Sequence, residues 1–234
     1  MSAGPTKTVE DTTPSPFVTW QEPADGHERA CSARWQSENG TPAPKRVVVA
    51  DDTMNADTAF RLSSEGTALL WRGDYQNARQ LLQALARRID RGGRRKPRQP
   101  ASASEAFHFH RQAQSQRART LGMLLIPVSE DYTIPLRRAP DIRLACNEAY
   151  GASRGAFVVS LREILGLIGA HEWRSKGVEV PALGARIHPY YGVFSPVRGE
   201  YLALLTDAPL PSRALAFDIG TGTGVIAALL ASRG

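Results

Sequence analysis

The sequence predicts an α/β protein made of two parts, and two patterns carry that prediction. Between residue 45 and about residue 90, two apolar runs alternate with two helical segments, which is the order of a small α/β domain. Near the C-terminus, a short apolar strand runs into a glycine turn and then an apolar helix. That order is the opening unit of a doubly wound nucleotide-binding sheet.

The first part begins with an arm and continues with alternating elements. Residues 1–44 are rich in Pro, Thr, Ser and Glu, a composition that predicts a mostly disordered arm. The β-branched run at 45–50 predicts a buried strand, and TALLW at 67–71 predicts a second one. Between them, Asp51-Asp52-Thr53 can cap a helix over about 55–64, and we prefer this capping role to a catalytic one.

An amphipathic helix follows, with apolar side chains at three- and four-residue steps from Tyr75 to Ile89. It runs into RRIDRGGRRKPR, residues 87–98, which contain seven Lys or Arg and one acid. We expect a basic loop over 87–104 that is either a solvated mobile connection or a segment that tracks phosphate groups. No aromatic residue lies among these arginines, so base stacking is not indicated there.

We expect the first part to extend over 45–180 as an accessory domain with further elements. They are a polar helix over 107–120, an apolar segment at 121–128, a short helix over 141–150, a helix opened by the capping box Ser160–Glu163 and a hairpin pairing 177–180 with 186–188.

The composition narrows the classes of function. A net charge of +6 and a pI of about 9.7 favour polyanionic partners. No apolar run is long enough for a transmembrane helix and the N-terminus lacks an apolar signal core, so we expect no membrane partner and a cytoplasmic location. Cys31 and Cys146 lie far apart, as is ordinary in a reducing compartment. His108 and His110 could share one strand face, but no nearby acid or cysteine completes a tetrahedral set, so no metal site is expected.

The most specific signal is ALAFDIGTGTGVIAALL near the C-terminus. The apolar run Leu215–Phe217 leads into Asp218, and glycines follow at alternate positions, Gly220, Gly222 and Gly224. Glycine lets the backbone turn tightly and approach a ligand where a Cβ would clash. This D-x-G-x-G-x-G pattern resembles motif I of the class I S-adenosylmethionine-dependent methyltransferases.

A second segment strengthens the resemblance. FSPVRGE, residues 194–200, is similar to the I-P-R-P-E-T-E stretch that precedes motif I in the glutamine N5-methyltransferases of release factors, although the order of proline and arginine differs and Tyr201 replaces the threonine. The resemblance implies a Rossmann-like methyltransferase sheet that starts within 181–234, with S-adenosylmethionine as cofactor. The cofactor-binding residues that it implies are Phe194, Arg198, Glu200, Asp218, Gly220, Thr221, Gly222, Thr223 and Gly224.

The implied reaction is methyl transfer by direct displacement to an RNA base nitrogen or a protein glutamine, which makes RNA or a ribosome-associated protein the expected partner. The ribose-binding acid that usually follows the glycines by about twenty residues and an N-P-P-Y-type loop are absent from the sequence. We therefore expect a truncated chain that is inactive alone, with no partner for the apolar face of helix 225–232 and poor order over about 206–234.

Two other functions remain open. The basic segment 87–98 is compatible with a non-catalytic RNA-binding module. A dinucleotide-dependent oxidoreductase would use the fingerprint G-x-G-x-x-G, whose third position counted from Gly220 is Val225. Counted from Gly222, the variant that ends in alanine fits through Ala227.

Overall fold

The computed structural model describes residues 16–24, 27–92, 100–194, 199–212 and 214–234. The chain divides into two compact units. The first comprises the described residues up to Ser129 together with Pro135–Ala139 and Ala156–Leu161, and the second comprises Glu130–Ile134, Pro140–Gly155 and the described residues of Arg162–Gly234. The division differs from the boundary expected near residue 180, because a helix at 143–150 and most of a helix at 161–176 cluster with the C-terminal segment.

The first unit contains a mixed six-stranded sheet, which confirms the α/β class. Its strands are β1 (Phe17–Ala24), β2 (His27–Gln36), β3 (Arg46–Ala50), β4 (Thr67–Trp71), β5 (Leu124–Val128) and β6 (Phe157–Ser160). They are ordered β1-β2-β6-β5-β4-β3. The neighbours β3, β4 and β5 run parallel, β6 is antiparallel to β5 and parallel to β2, and β1 and β2 form an antiparallel hairpin.

The sheet curls strongly, because its two edge strands β1 and β3 approach each other to within 8 Å between Cα atoms. All six strands contribute to one apolar cluster, in which alternate residues of each strand share a face. Its fully or nearly buried members are Val18, Trp20, Ala68, Leu70, Leu125 and Val158. The remaining residues of β4 are buried as well, so this strand is covered on both faces.

The disordered arm predicted for residues 1–44 is wrong for β1 and β2, which pair in register from Phe17–Arg34 to Ala24–His27. Residues 1–15 lie outside the described part of the chain. The hairpin is held by burial, because Val18 is fully buried and Trp20 is 9% exposed. The hydrophobic free energy gained by burying these two side chains offsets the conformational entropy lost when β1, which is otherwise mostly polar, becomes ordered.

Three helices belong to the first unit, α1 (Ala56–Ser64), α2 (Tyr75–Gly92) and α3 (Ala103–Leu121). The predicted strands at 45–50 and 67–71 and the helix after Gly73-Asp74 are confirmed. The capping role predicted for Asp51 and Asp52 is wrong, because Asn55 caps α1 by accepting a hydrogen bond from the Thr58 amide. Asp51 instead accepts hydrogen bonds from the Thr53 amide and hydroxyl, which closes the turn before the helix.

The basic loop predicted over 87–104 is shorter than expected. Residues 87–92 form the last part of α2, and α3 begins at Ala103 with Ser102 as its cap. Residues 93–99 lie outside the described part of the chain. None of the described helices is both long and apolar enough to cross a membrane.

A buried carboxylate ties α2 to the segment 135–139. The Asp74 side chain is fully buried, 2.7 Å from Arg138 Nε and 3.3 Å from Arg137 Nη2. Hydrogen bonding to the Arg138 guanidinium lowers the pKa of Asp74 to about 2. A carboxylate with a lowered folded-state pKa stabilises the fold fully above its ordinary pKa, and this contribution is lost as the pH falls toward about 2.

We expect Asp74→Asn to be less stable than the parent at pH 7 and to lose less of its remaining stability between pH 4 and pH 2.5. Urea midpoints at pH 7, 4 and 2.5 measure this difference. Asp141→Asn is the matched control, because Arg143 also lowers the pKa of Asp141 to about 2. Both side chains of that pair are exposed and only two residues apart, so its removal should change stability little. Equal acid sensitivity of Asp74→Asn and the parent would contradict the expectation.

The second unit is built from helices and a short hairpin. Its elements are α4 (Arg143–Tyr150), α5 (Leu161–Lys176, of which Leu161 belongs to the first unit), β7 (Val178–Val180), a 3₁₀ helix (Pro181–Leu183), β8 (Ala185–Ile187), α6 (Glu200–Asp207) and α7 (Val225–Ser232). The predicted hairpin is confirmed as β7 paired antiparallel with β8. The hairpin, α6 and α7 share an apolar cluster that buries Val180, Leu202, Val225 and Leu229.

Two expectations for the C-terminal segment are corrected. No strand forms at Leu215–Asp218, because none of the described strands runs beside it, and a strand is held by the ladder of a neighbour. Helix α7, in contrast, is not left without a partner. Its apolar face packs in the cluster with α6 and the hairpin, and the Arg233 guanidinium donates to the carbonyls of Leu205 and Ala208.

Candidate functional site

The glycine loop, residues 218–224, forms a turn, as the sequence predicts. Gly220, Gly222 and Gly224 have φ angles of 80°, 54° and 76°, all in the left-handed region. Residues with a Cβ rarely adopt this conformation, so the alternate glycines are required by the backbone itself. Gly224 is also the residue that caps the N-terminus of α7, where backbone N–H groups and the helix dipole favour negative charge.

Two hydrogen bonds close the loop. The Thr221 hydroxyl donates to the Asp218 carbonyl at 2.9 Å, and the Gly224 amide donates to the Thr221 carbonyl at 2.8 Å. The Oδ2 atom of the Asp218 carboxylate is buried without a hydrogen-bond donor among the described residues. A buried carboxylate oxygen with no donor is costly, and a ligand amine or hydroxyl would satisfy it.

Phe194 and the glycine loop come together, although 28 positions separate Phe194 from Gly222 in the sequence. A Cβ added at Gly222 would lie 2.9 Å from the Phe194 carbonyl oxygen and 3.6 Å from the Phe194 Cβ. Because Gly222 has no side chain, the backbone of Phe194 can pack directly against the glycine loop. The Phe194 side chain is 72% exposed, so its ring is available to a ligand beside the loop.

Of the other predicted site residues, Thr223 belongs to the loop and Glu200 is not shown to contact it. Glu200 begins α6 and is exposed, without a hydrogen bond to another described residue. Thr223 is half-buried within the glycine loop. Arg198 lies outside the described residues. The Rossmann-like sheet that the resemblance implies is not formed by the described residues, since Leu215, Phe217 and Ile219 remain exposed beside the loop.

The second unit also contains an aromatic pocket that the sequence did not predict. It has a volume of about 160 Å³ and is lined by Ala170, Trp173, Pro189, Tyr190, Tyr191, Gly192 and Val193. The Tyr-Tyr pair was visible in the sequence as a neighbour of the motif segment. Nothing in the sequence indicated that Trp173 on α5 would line the same pocket as these tyrosines, because this depends on how residues 189–193 fold against the helix.

Side-chain contacts fix one wall of this pocket. The Arg174 guanidinium stacks over the Tyr190 ring, 3.8 Å from its centroid. Glu148 on α4 lies 3.5 Å from Arg174 Nη1 and 3.1 Å from His171 Nδ1. The His188 Nδ1 atom donates to the Arg174 carbonyl at 2.6 Å, which joins the end of α5 to the segment that leads into the pocket.

Among the described residues, no group of three or more His, Cys, Asp or Glu side chains is arranged to hold a metal ion. The one-strand placement considered for His108 and His110 is wrong, because both lie on α3, where a spacing of two residues turns them to different faces. A scan against models of protein families gives no match to this chain, and a search of curated proteins gives no match either.

Proposed function

We propose that this chain carries part of the cofactor site of an S-adenosylmethionine-dependent methyltransferase. The observation that supports it best is the loop from Asp218 to Gly224, in which all three alternate glycines are left-handed. A Cβ at the central position would fill the space beside Phe194, and the Asp218 carboxylate has a buried oxygen without a donor among the described residues. These features fit a ligand that carries an amino group and a nucleoside.

In the proposed site, each group has a defined role. The glycines let the ligand approach the backbone, Asp218 accepts a hydrogen bond from the amino-acid end, and Phe194 covers the loop from the other side. S-adenosylmethionine, when bound, supplies an electrophilic methyl group on its sulfonium. The protein contributes position and orientation, which are worth up to about 7–11 kcal/mol when reacting groups are well aligned, and it needs no covalent nucleophile.

Equilibrium dialysis of the protein that contains this sequence against labelled S-adenosylmethionine tests the proposal. Saturable binding that S-adenosylhomocysteine displaces, and that NAD does not, is the expected result. Binding of NAD alone would favour the dinucleotide oxidoreductase instead. That alternative has less support. In the dinucleotide fingerprint, the third glycine or alanine lets the helix pack closely on the strand, but Ala227, which occupies this position, is exposed.

A second candidate function, RNA binding, is favoured by the outward face of α3. At 100° per residue, Phe107, His108, Arg111, Ser115 and Arg119 fall on one side of this helix, and all five are exposed. The Arg111 guanidinium lies 5.8 Å from the centroid of the Phe107 ring. Cationic groups that alternate with an exposed aromatic side chain can contact phosphates and stack on bases.

We expect Arg111→Gln combined with Arg119→Gln to lower the slope of log affinity for single-stranded RNA against log salt by up to about 1.4, or about 0.7 per lost phosphate contact. Fluorescence anisotropy at several salt concentrations measures the slope. Arg61→Gln is the control, because Arg61 is an exposed arginine on α1 that pairs with Glu65. Unchanged slopes in the double variant would remove α3 from the proposed contact surface.

A further inference from the structure

We propose that the pocket between α5 and residues 189–193 binds the nucleobase of the methyl acceptor by stacking. This inference rests on the proposed methyltransferase function and deepens it, because it selects an RNA base over a protein glutamine as the acceptor. The pocket residues belong to the same unit as the glycine loop, and none of the residues from 218 to 224 lines the pocket. The pocket is therefore separate from the loop proposed to hold the cofactor.

The pocket presents aromatic surfaces to solvent. Trp173 is 47% exposed and Tyr190 is 57% exposed, although both are large side chains that are usually covered when they have no ligand or partner. The volume of about 160 Å³ is well below the range of roughly 300–1,000 Å³ typical of pockets for drug-sized ligands. A space of this size with aromatic walls suits one planar ring system, and a glutamine side chain offers no aromatic face to stack.

The walls are ordered before any ligand binds. Residues 190–193 form a turn closed by a hydrogen bond from the Val193 amide to the Tyr190 carbonyl at 3.1 Å, with Gly192 at a φ of 77°. The Arg174 guanidinium stacks on the Tyr190 ring, and Glu148 pairs with Arg174 at 3.5 Å. A stacking surface that is already fixed loses little side-chain entropy on binding.

The chain connects the pocket directly to the glycine loop. Val193 lines the pocket, and the next residue, Phe194, has its carbonyl oxygen 2.9 Å from the position that a Gly222 Cβ would occupy. A base stacked in the pocket therefore lies beside Val193, and the neighbouring residue Phe194 packs on the glycine loop. This arrangement brings a planar acceptor and the proposed methyl donor to neighbouring positions within the second unit.

Titration calorimetry with cytidine and guanosine 5′-monophosphate tests the proposal on the protein that contains this sequence. Base–aromatic stacking is worth about 1–3 kcal/mol per base, so Trp173→Ala and Tyr190→Ala should each weaken nucleotide binding by about 5- to 150-fold. Trp173→Phe keeps an aromatic ring and should retain most of the affinity, which separates loss of stacking from loss of folding. Phe17→Ala is the matched control, because it removes an exposed aromatic ring on β1, outside every proposed binding surface, and should not change the affinity.

Two results would overturn the assignment. One is nucleotide binding that is absent from the parent or unchanged in both alanine variants. The other is competitive displacement of the nucleotide by S-adenosylhomocysteine, which would place the adenine of the cofactor in the pocket instead of the acceptor base. Nucleotide binding without any binding of S-adenosylmethionine would support the pocket and contradict the proposed methyltransferase function, so the two failures are distinguishable.

Discussion

Replacing Gly222 by valine is expected to abolish binding of S-adenosylmethionine while the rest of the chain stays folded. Gly222 has a φ of 54°, and its added Cβ would lie 2.9 Å from the Phe194 carbonyl oxygen, a distance that Cβ atoms do not tolerate. A β-branched residue in this conformation is itself strained by at least about 1–2 kcal/mol. The loop and the segment at Phe194 would both have to move, which removes the cradle for the ligand.

Titration calorimetry of the protein that contains this sequence measures the effect, and we expect a loss of affinity of about 100-fold or more, equivalent to about 2.8 kcal/mol. Gly184→Val is the matched control. Gly184 has a similar φ of 60°, but nothing lies within 4 Å of the position of its Cβ. It should therefore carry the same backbone strain without changing cofactor affinity. Equal affinities of Gly222→Val and the parent would remove the methyltransferase proposal.

The parts of the fold that the sequence predicted are those with a clear local period. Strands β3 and β4 are short β-branched or apolar runs, and α2 repeats apolar side chains every three or four residues. Strand β1 also alternates, with Val18 and Trp20 buried on one face. Its period of two was hidden because prolines and polar residues surround it, which is a composition typical of disordered segments.

The run Leu215–Phe217 shows the opposite case. Its composition is that of a strand, but a strand also requires a neighbouring ladder, and none of the described residues supplies one. In the site, the alternate glycines predicted a tight turn, and their left-handed φ angles are compatible with it because glycine has no Cβ. The pocket at Trp173 could not be predicted, because the contacts of Glu148 with Arg174 and of Arg174 with Tyr190 join elements distant in sequence.

Replacing Trp20 by alanine is expected to destabilise the first unit by about 3–5 kcal/mol, the usual cost of removing a buried tryptophan from a core. Trp20 is 9% exposed and belongs to the cluster that all six strands share, and the Arg72 guanidinium lies 5.7 Å from its ring centroid. This loss is a large fraction of a typical stability of about 5–15 kcal/mol. The measurement is the urea midpoint, together with the amide exchange of β1 and β2.

Thr19→Ala is the control for this prediction, because Thr19 is the neighbouring residue on the exposed face of the same strand. Its effect should stay within about 0.5 kcal/mol, as is usual at exposed positions. A disordered arm at residues 17–36 would give the two variants equal stability. A difference of several kcal/mol between adjacent residues arises only if β1 is paired and one of its faces is buried, so the comparison decides whether the hairpin closes the curled sheet.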